Sequence, residues 1–242
     1  MGAAMMFGMF DPLYFLLLAP AILLSLWAQW RVSSAFARGK EAPSPGRMTG
    51  AEAARLVMRS AGIPDLPIEP IEGTLTDHYD PSHKVLRLSP DVYYGRSLAA
   101  VGVAAHEAGH AIQDATRYPL LVVRNAIVPM AAIGSNLSWI VIIVGLALMS
   151  AGVLLGKWVT LFGIGLFSVV VLFQLVNLPV EFDASRRARA ILVNYGIIDE
   201  RQDQVVARVL NAAAMTYVAA TLTAVLTLIY YLIRSGLLSD RR

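Results

Sequence analysis

Charged and apolar positions are segregated along this chain. Four stretches carry no Asp, Glu, Lys or Arg: Pro12–Trp30 (19 residues), Asn125–Gly156 (32), Trp158–Val180 (23) and Asn211–Ile233 (23). A helix needs roughly 20 apolar residues to cross ~30 Å of hydrocarbon, so each stretch predicts a transmembrane helix. The second is overlong, and its membrane part is expected from about Ala131 to Leu155. A short Gly156-Lys157 turn then joins it to the third as a helical hairpin. Trp27 and Trp30 suit an interface belt at the end of the first. No Lys or Arg precedes that first stretch, Asp11 does, and no small-residue cleavage site is evident. The expectation is a retained anchor, not a cleaved signal peptide.

Between the spans the pattern changes. Residues 31–48, rich in Arg, Ser, Gly and Pro, predict a linker. Thr49-Gly50-Ala51-Glu52 is a capping-box pattern that opens a helix with Ala53, Leu56, Val57 and Ala61 on one face. That helix should end near Gly62-Ile63-Pro64. Short apolar runs at Ile68–Ile71, Gly73–Leu75 and Lys84–Leu88, with a turn at Asp80-Pro81-Ser82-His83, predict a small two- or three-stranded sheet. Ser97–Thr116 is helical by the spacing of Leu98, Val101, Ala105 and Ile112. The fold expected is mainly α, a polytopic membrane protein with about four transmembrane helices and a small cytoplasmic α+β segment. Its divisions are an N-terminal anchor (1–30), a cytoplasmic segment (31–125), a transmembrane hairpin (126–180), a cytoplasmic helical segment (181–210) and a C-terminal transmembrane helix with its tail (211–242).

Composition sharpens this picture. The charge-free stretches cover 97 of 242 residues, and the other 145 hold all 37 charges, 26% of them. That is close to the ~25% of an ordinary globular domain. A secreted disulfide scaffold is excluded by the absence of cysteine, and a disordered chain or a simple cytosolic enzyme by the spans. With the N-terminus outside, the inner segments Arg31–Arg124 and Glu181–Arg208 hold 16 of the 20 basic residues. The positive-inside bias therefore puts the polar part of the chain in the cytoplasm. The net charge of +3 follows from that topology, and no basic stripe interleaved with aromatics points to nucleic acid. The lipid bilayer is the partner implied.

The candidate chemistry lies in His106-Glu107-Ala108-Gly109-His110. Imidazoles at i and i+4 project from one helix face and can hold the same Zn²⁺. The Glu between them lies where it can take a proton from a water acidified by the metal. A catalytic zinc needs a third protein ligand. Glu181, Asp183, His78 and His83 are the candidates, with Glu181 favoured over Asp183; two spans separate Glu181 from His110, so both return to one face, a test that His78 and His83 pass as well. Asp183 is either an acceptor behind a ligand His or a partner of Arg186 or Arg187. His78 and His83 have a plainer role as a solvated turn pair beside Asp77, Asp80 and Lys84.

The run from Tyr79-Asp80-Pro81 through Lys84–Ser89 and Val92–Ser97 to His106–Ala111 resembles the YugP-type neutral zinc metallopeptidases, membrane proteins of bacteria. Leu178–Ser185 and Leu210–Tyr217 extend the resemblance, which covers most of the chain beyond residue 50. More distantly, the layout is similar to HtpX-type and CAAX-prenyl membrane peptidases: zinc motif, helical hairpin, then a Glu ligand. That similarity supports Glu181. Those relatives carry Asp four residues after the ligand Glu, whereas this chain has Ser185. The resemblance also makes Tyr217 and Asn211 candidate oxyanion donors, and Lys84–Leu88 a candidate substrate-binding edge strand.

The resulting expectation is a membrane-embedded, zinc-dependent endopeptidase in the bacterial cell membrane, with its catalytic face cytoplasmic. His106, His110 and Glu181 bind the metal, Glu107 is the general base, and a peptide or membrane protein is the substrate. Two alternatives stand beside it. In an intramembrane zinc protease, Ser97–Thr116 would be a fifth span. In a non-catalytic membrane adaptor, the zinc would be structural.

Overall fold

The computed structural model describes residues 11–63 and 65–237. Among the described residues, seven α-helices and three strands run in the order α1 (Pro12–Glu41), α2 (Gly50–Ser60), β1 (Ile68–Pro70), β2 (His78–Asp80), β3 (Val85–Leu88), α3 (Pro90–Tyr93), α4 (Leu98–Ala115), α5 (Pro119–Ser150), α6 (Leu155–Asn194) and α7 (Glu200–Arg234). Four of them, α1, α5, α6 and α7, are long and apolar enough to cross a membrane. The fold is that of a mainly α, polytopic membrane protein with a small sheet.

The chain divides into two compact units. One comprises Val123–Leu178 with the N-terminal stretch as far as Leu26 and the C-terminal stretch from Tyr217. Its α5 and α6 approach closely where small residues meet backbone. A Cβ on Gly134 would lie 2.7 Å from the Leu166 carbonyl oxygen, and one on Gly163 2.9 Å from the Ile142 nitrogen. Such small-residue contacts are how helices pack in lipid, where apolar burial gives no drive. The Tyr230 hydroxyl donates to Asp11 Oδ2 (2.8 Å), pairing two buried polar groups of this unit.

The other unit comprises Trp27–Val122 and Pro179–Thr216. Its core joins Val57 and Met58 of α2, Leu86 and Leu88 of β3, Val101 and Ala105 of α4, Leu192 of α6 and Val206 of α7. The capping box at Thr49 forms as expected: Glu52 N donates to Thr49 Oγ1 (3.2 Å) and Thr49 N donates to Glu52 Oε2 (2.7 Å). Helix α4 runs within the expected bounds, opened by Ser97, whose Oγ accepts from Ala100 N. Most of its residues are buried against this polar unit's core, and it is not among the four apolar helices.

Several expected boundaries are corrected. Residues 31–41 continue α1 as helix and are not part of a linker. The hairpin turn is Ala151–Leu154, with Gly152 at φ +76°, and Gly156-Lys157 already belongs to α6. The strand order is β1-β3-β2, with β1 parallel and β2 antiparallel to β3. The run Gly73–Leu75 is not a strand, and the second strand is His78–Asp80. Lys84–Leu88 cannot serve as an edge, because β3 is paired on both sides. The edge next to α4 belongs to β2.

Candidate metal centre

Helix α4 presents His106, His110 and Gln113 at i, i+4 and i+7, which is one helical face. Helix α6 brings Glu181 to it. The backbones approach closely because residue 109 is glycine: a Cβ there would lie 2.6 Å from the Ala184 carbonyl oxygen. One potential ligand atom from each of His106, His110 and Glu181 falls within 4.8 Å of the others. Glu181 Oε2 is 3.3 Å from His106 Nε2 and 3.5 Å from His110 Nε2. All three residues are largely or fully buried.

The donor set fits a zinc ion on two grounds. Tetrahedral ligands at ~2.1 Å from a metal stand about 3.4 Å from one another, close to both spacings. Glu181 Oε2 is also a buried carboxylate oxygen with no hydrogen-bond partner, a costly condition unless a cation compensates it. The histidine tautomer leads to the same conclusion. The Gln113 Nε2 donates to Val180 O (2.9 Å) and Asp183 Oδ2 (2.9 Å), both pure acceptors, so its Oε1 must face His110 Nδ1 (3.0 Å). That contact needs a proton on Nδ1. A neutral His110 then turns the Nε2 lone pair toward Glu181. On His106 the Nδ1 meets Ser185 Oγ at 3.0 Å. Serine thus stands behind His106 at the position where the sequence departs from the more distant peptidases.

Electrostatics separate the two glutamates. Burial pushes the Glu107 carboxyl up to about 7, more strongly than the neighbouring His106 pulls it down. Its Oε2 accepts from the Tyr79 backbone N–H (3.0 Å) on the edge of β2. Burial also works against ionisation of Glu181, but wherever a ring Nε2 carries a proton in the metal-free protein, His106 and His110 outweigh it and hold that carboxyl below the ordinary carboxylate range. The Tyr79 hydroxyl donates to Asp114 Oδ2 (2.6 Å), which Lys84 also contacts, so the strand is pinned to the last turn of α4.

The other sequence candidates lie elsewhere. His83 Nδ1 bonds Asp80 Oδ2 (2.8 Å) in the turn after β2, and His78 Nδ1 meets Thr76 O (2.8 Å). Asp183 is engaged by Gln113, Arg186 and Arg187. It therefore combines the two roles open to it: it pairs with arginines and stands behind His110 through Gln113. Among the described residues, His106, His110 and Glu181 are the one group that could hold a metal. Asn211 is exposed on α7, and Tyr217 is half-buried further along the same helix, in the other compact unit. Sequence reasoning missed Gln113 and the Tyr79 amide. The signal for Gln113 was partial: a polar side chain at i+3 from His110 on a mostly apolar helix, with nothing in the sequence to name its partners.

Residues 14–236 match the family described as "Putative neutral zinc metallopeptidase". The chain is 44% identical over 221 residues to the "Putative membrane protease YugP" of Bacillus subtilis (strain 168), covering 90% of this chain and 95% of that relative. No solved structure matches it.

Proposed function

Because the chain belongs to the neutral zinc metallopeptidase family, we propose that it is a membrane-embedded zinc endopeptidase cleaving peptides or membrane proteins at the cytoplasmic face. The observation that carries this reading is the convergence of His106, His110 and the unpartnered Glu181 Oε2 beside a buried Glu107. His106 and His110 through Nε2, and Glu181 through Oε2, are the residues that hold the metal. Bound zinc supplies Lewis acidity, polarising the scissile carbonyl and acidifying a water.

Glu107 is the general base. Its Oε2 is fixed by the Tyr79 amide, so Oε1 takes the proton from the attacking water and hands it to the leaving amine. Gln113 and Ser185 hold the imidazoles from behind, keeping both Nε2 atoms on the metal side. The cytoplasmic assignment rests on the 16 of 20 basic residues that one topology gathers on the site's side. Glu181 follows directly on the apolar stretch Trp158–Val180 of the same helix, which favours substrates that are themselves close to the bilayer.

Glu107→Gln tests the mechanism. The variant should keep its zinc and lose at least ~100-fold in cleavage of an unstructured protein substrate such as casein, the usual scale of general-base loss. Turnover retained by Glu107→Gln contradicts the reading.

A further inference from the structure

Gln113 is the most deeply buried polar side chain near the site, at 0% exposure. Burying an amide without partners costs roughly 1–3 kcal/mol, and here each end is satisfied by a different part of the metal-holding set. Oε1 faces the Nδ1 of the ligand His110 (3.0 Å). Nε2 reaches across to α6 and bonds Val180 O and Asp183 Oδ2, each at 2.9 Å. Those two residues flank the third ligand, Glu181. One side chain therefore spans the motif helix and the turn that carries the carboxylate. Asp183 extends the link outward, since it also pairs with Arg186 and Arg187, and the Arg187 guanidinium lies 5.3 Å over the Tyr118 ring just past α4.

We propose that Gln113 is a positioning residue for the metal: it locks the His110 tautomer and holds Glu181 in register with His106 and His110, with Asp183 as its anchor. The proposal rests on the zinc reading above. The amide does this by having two unlike ends. A donor at Nε2 is demanded by two acceptors, so the carbonyl end is committed to His110; the ring cannot turn without breaking its bond to Oε1, and the amide cannot turn without breaking three hydrogen bonds. The ligand triad is then set before any metal arrives, and the affinity reflects that preorganisation.

The test is zinc affinity of the full-length protein in detergent, measured by competition with a chromophoric chelator, for wild type, Gln113→Met and Gln113→Glu. Gln113→Met keeps the shape and removes every hydrogen bond. It should bind zinc 10–100-fold more weakly, the usual scale for a lost partner behind a ligand. Gln113→Glu keeps an acceptor for Nδ1–H but sets a second acceptor against Val180 O and Asp183 Oδ2, so it too should bind zinc more weakly than wild type. Cobalt loaded in place of zinc should give a visible spectrum that differs between wild type and Gln113→Met. Zinc affinity of Gln113→Met or of Gln113→Glu equal to wild type overturns the proposal, as does a cobalt spectrum of Gln113→Met identical to that of wild type. Should Gln113→Met fail to fold, Asp183→Ala removes the anchor alone. Several-fold weaker zinc there supports the proposal, and wild-type affinity overturns it. A wild type that binds no zinc defeats the metallopeptidase reading itself, a result distinct from all of these.

Discussion

Tyr79 does two jobs from one position on an edge strand. Its amide holds Glu107, the proposed base, and its hydroxyl ties β2 to Asp114 at the end of the same helix. Tyr79→Phe removes only the second contact. It should lower stability by about 1 kcal/mol, the net worth of one such bond, or a few degrees in the thermal midpoint, while zinc content stays unchanged. A neighbouring residue gives a pH prediction. Arg87, then His83, hold the Asp80 carboxyl below its ordinary range. A depressed carboxyl contributes stability above its unfolded pKa, ~3.9, and loses it as pH falls through the folded value. The metal-free wild type should therefore outlast metal-free Asp80→Asn in thermal unfolding near pH 6, and the gap should close progressively below about pH 4. A gap that persists or widens in acid would show that Asp80 does not act through its charge.

At the scale of elements, the site depends on how closely two helices meet. Gly109 lets α4 lie against the Ala184 backbone of α6, and a backbone carbonyl cannot move aside as a side-chain tip could. Gly109→Ala should push the two helices apart and spread the ligand triad, losing most zinc binding and all activity even though alanine is the better helix former. Normal zinc content in Gly109→Ala would remove this contact from the account. Local patterns made α4 and the box at Thr49 readable from sequence, because both are written within one or two turns. The helix ends were not readable in the same way. Charge appears after Trp30 and after Val180, yet Arg, Ala, Lys and Glu are good helix formers, so α1 and α6 continue to Glu41 and Asn194. Strand β2 was hidden for another reason: three residues carry no usable periodicity, and their pairing with β3 is a tertiary fact. Gln113 stayed unread because a polar residue on an apolar face has meaning only once its partners on α6 are known.

For the whole molecule, α6 carries both solvents' worth of sequence. Its 40 residues make a helix about 60 Å long, twice the ~30 Å of hydrocarbon, so one end must leave the bilayer, and Glu181 lies on the stretch after the apolar run. Span counting showed that Glu181, after the hairpin, returns to the face of the motif before it, since two crossings bring the chain back to its starting face; it did not by itself separate Glu181 from Asp183, His78 or His83. The absence of cysteine makes topology directly measurable. Single cysteines at positions 96 and 117 should both label from the cytoplasm, and one at position 153 from the opposite side. Labelling of 96 and 117 from opposite sides would restore the intramembrane alternative.

The claim on which everything else depends is that three named side chains hold one metal. Metal content of the purified protein, wild type beside Glu181→Ala, tests it without any guess at substrate. The account predicts one zinc per wild-type chain and little or none in the variant. Zinc retained by Glu181→Ala at the wild-type level, or a wild type carrying no metal after chelator-free purification, would contradict it.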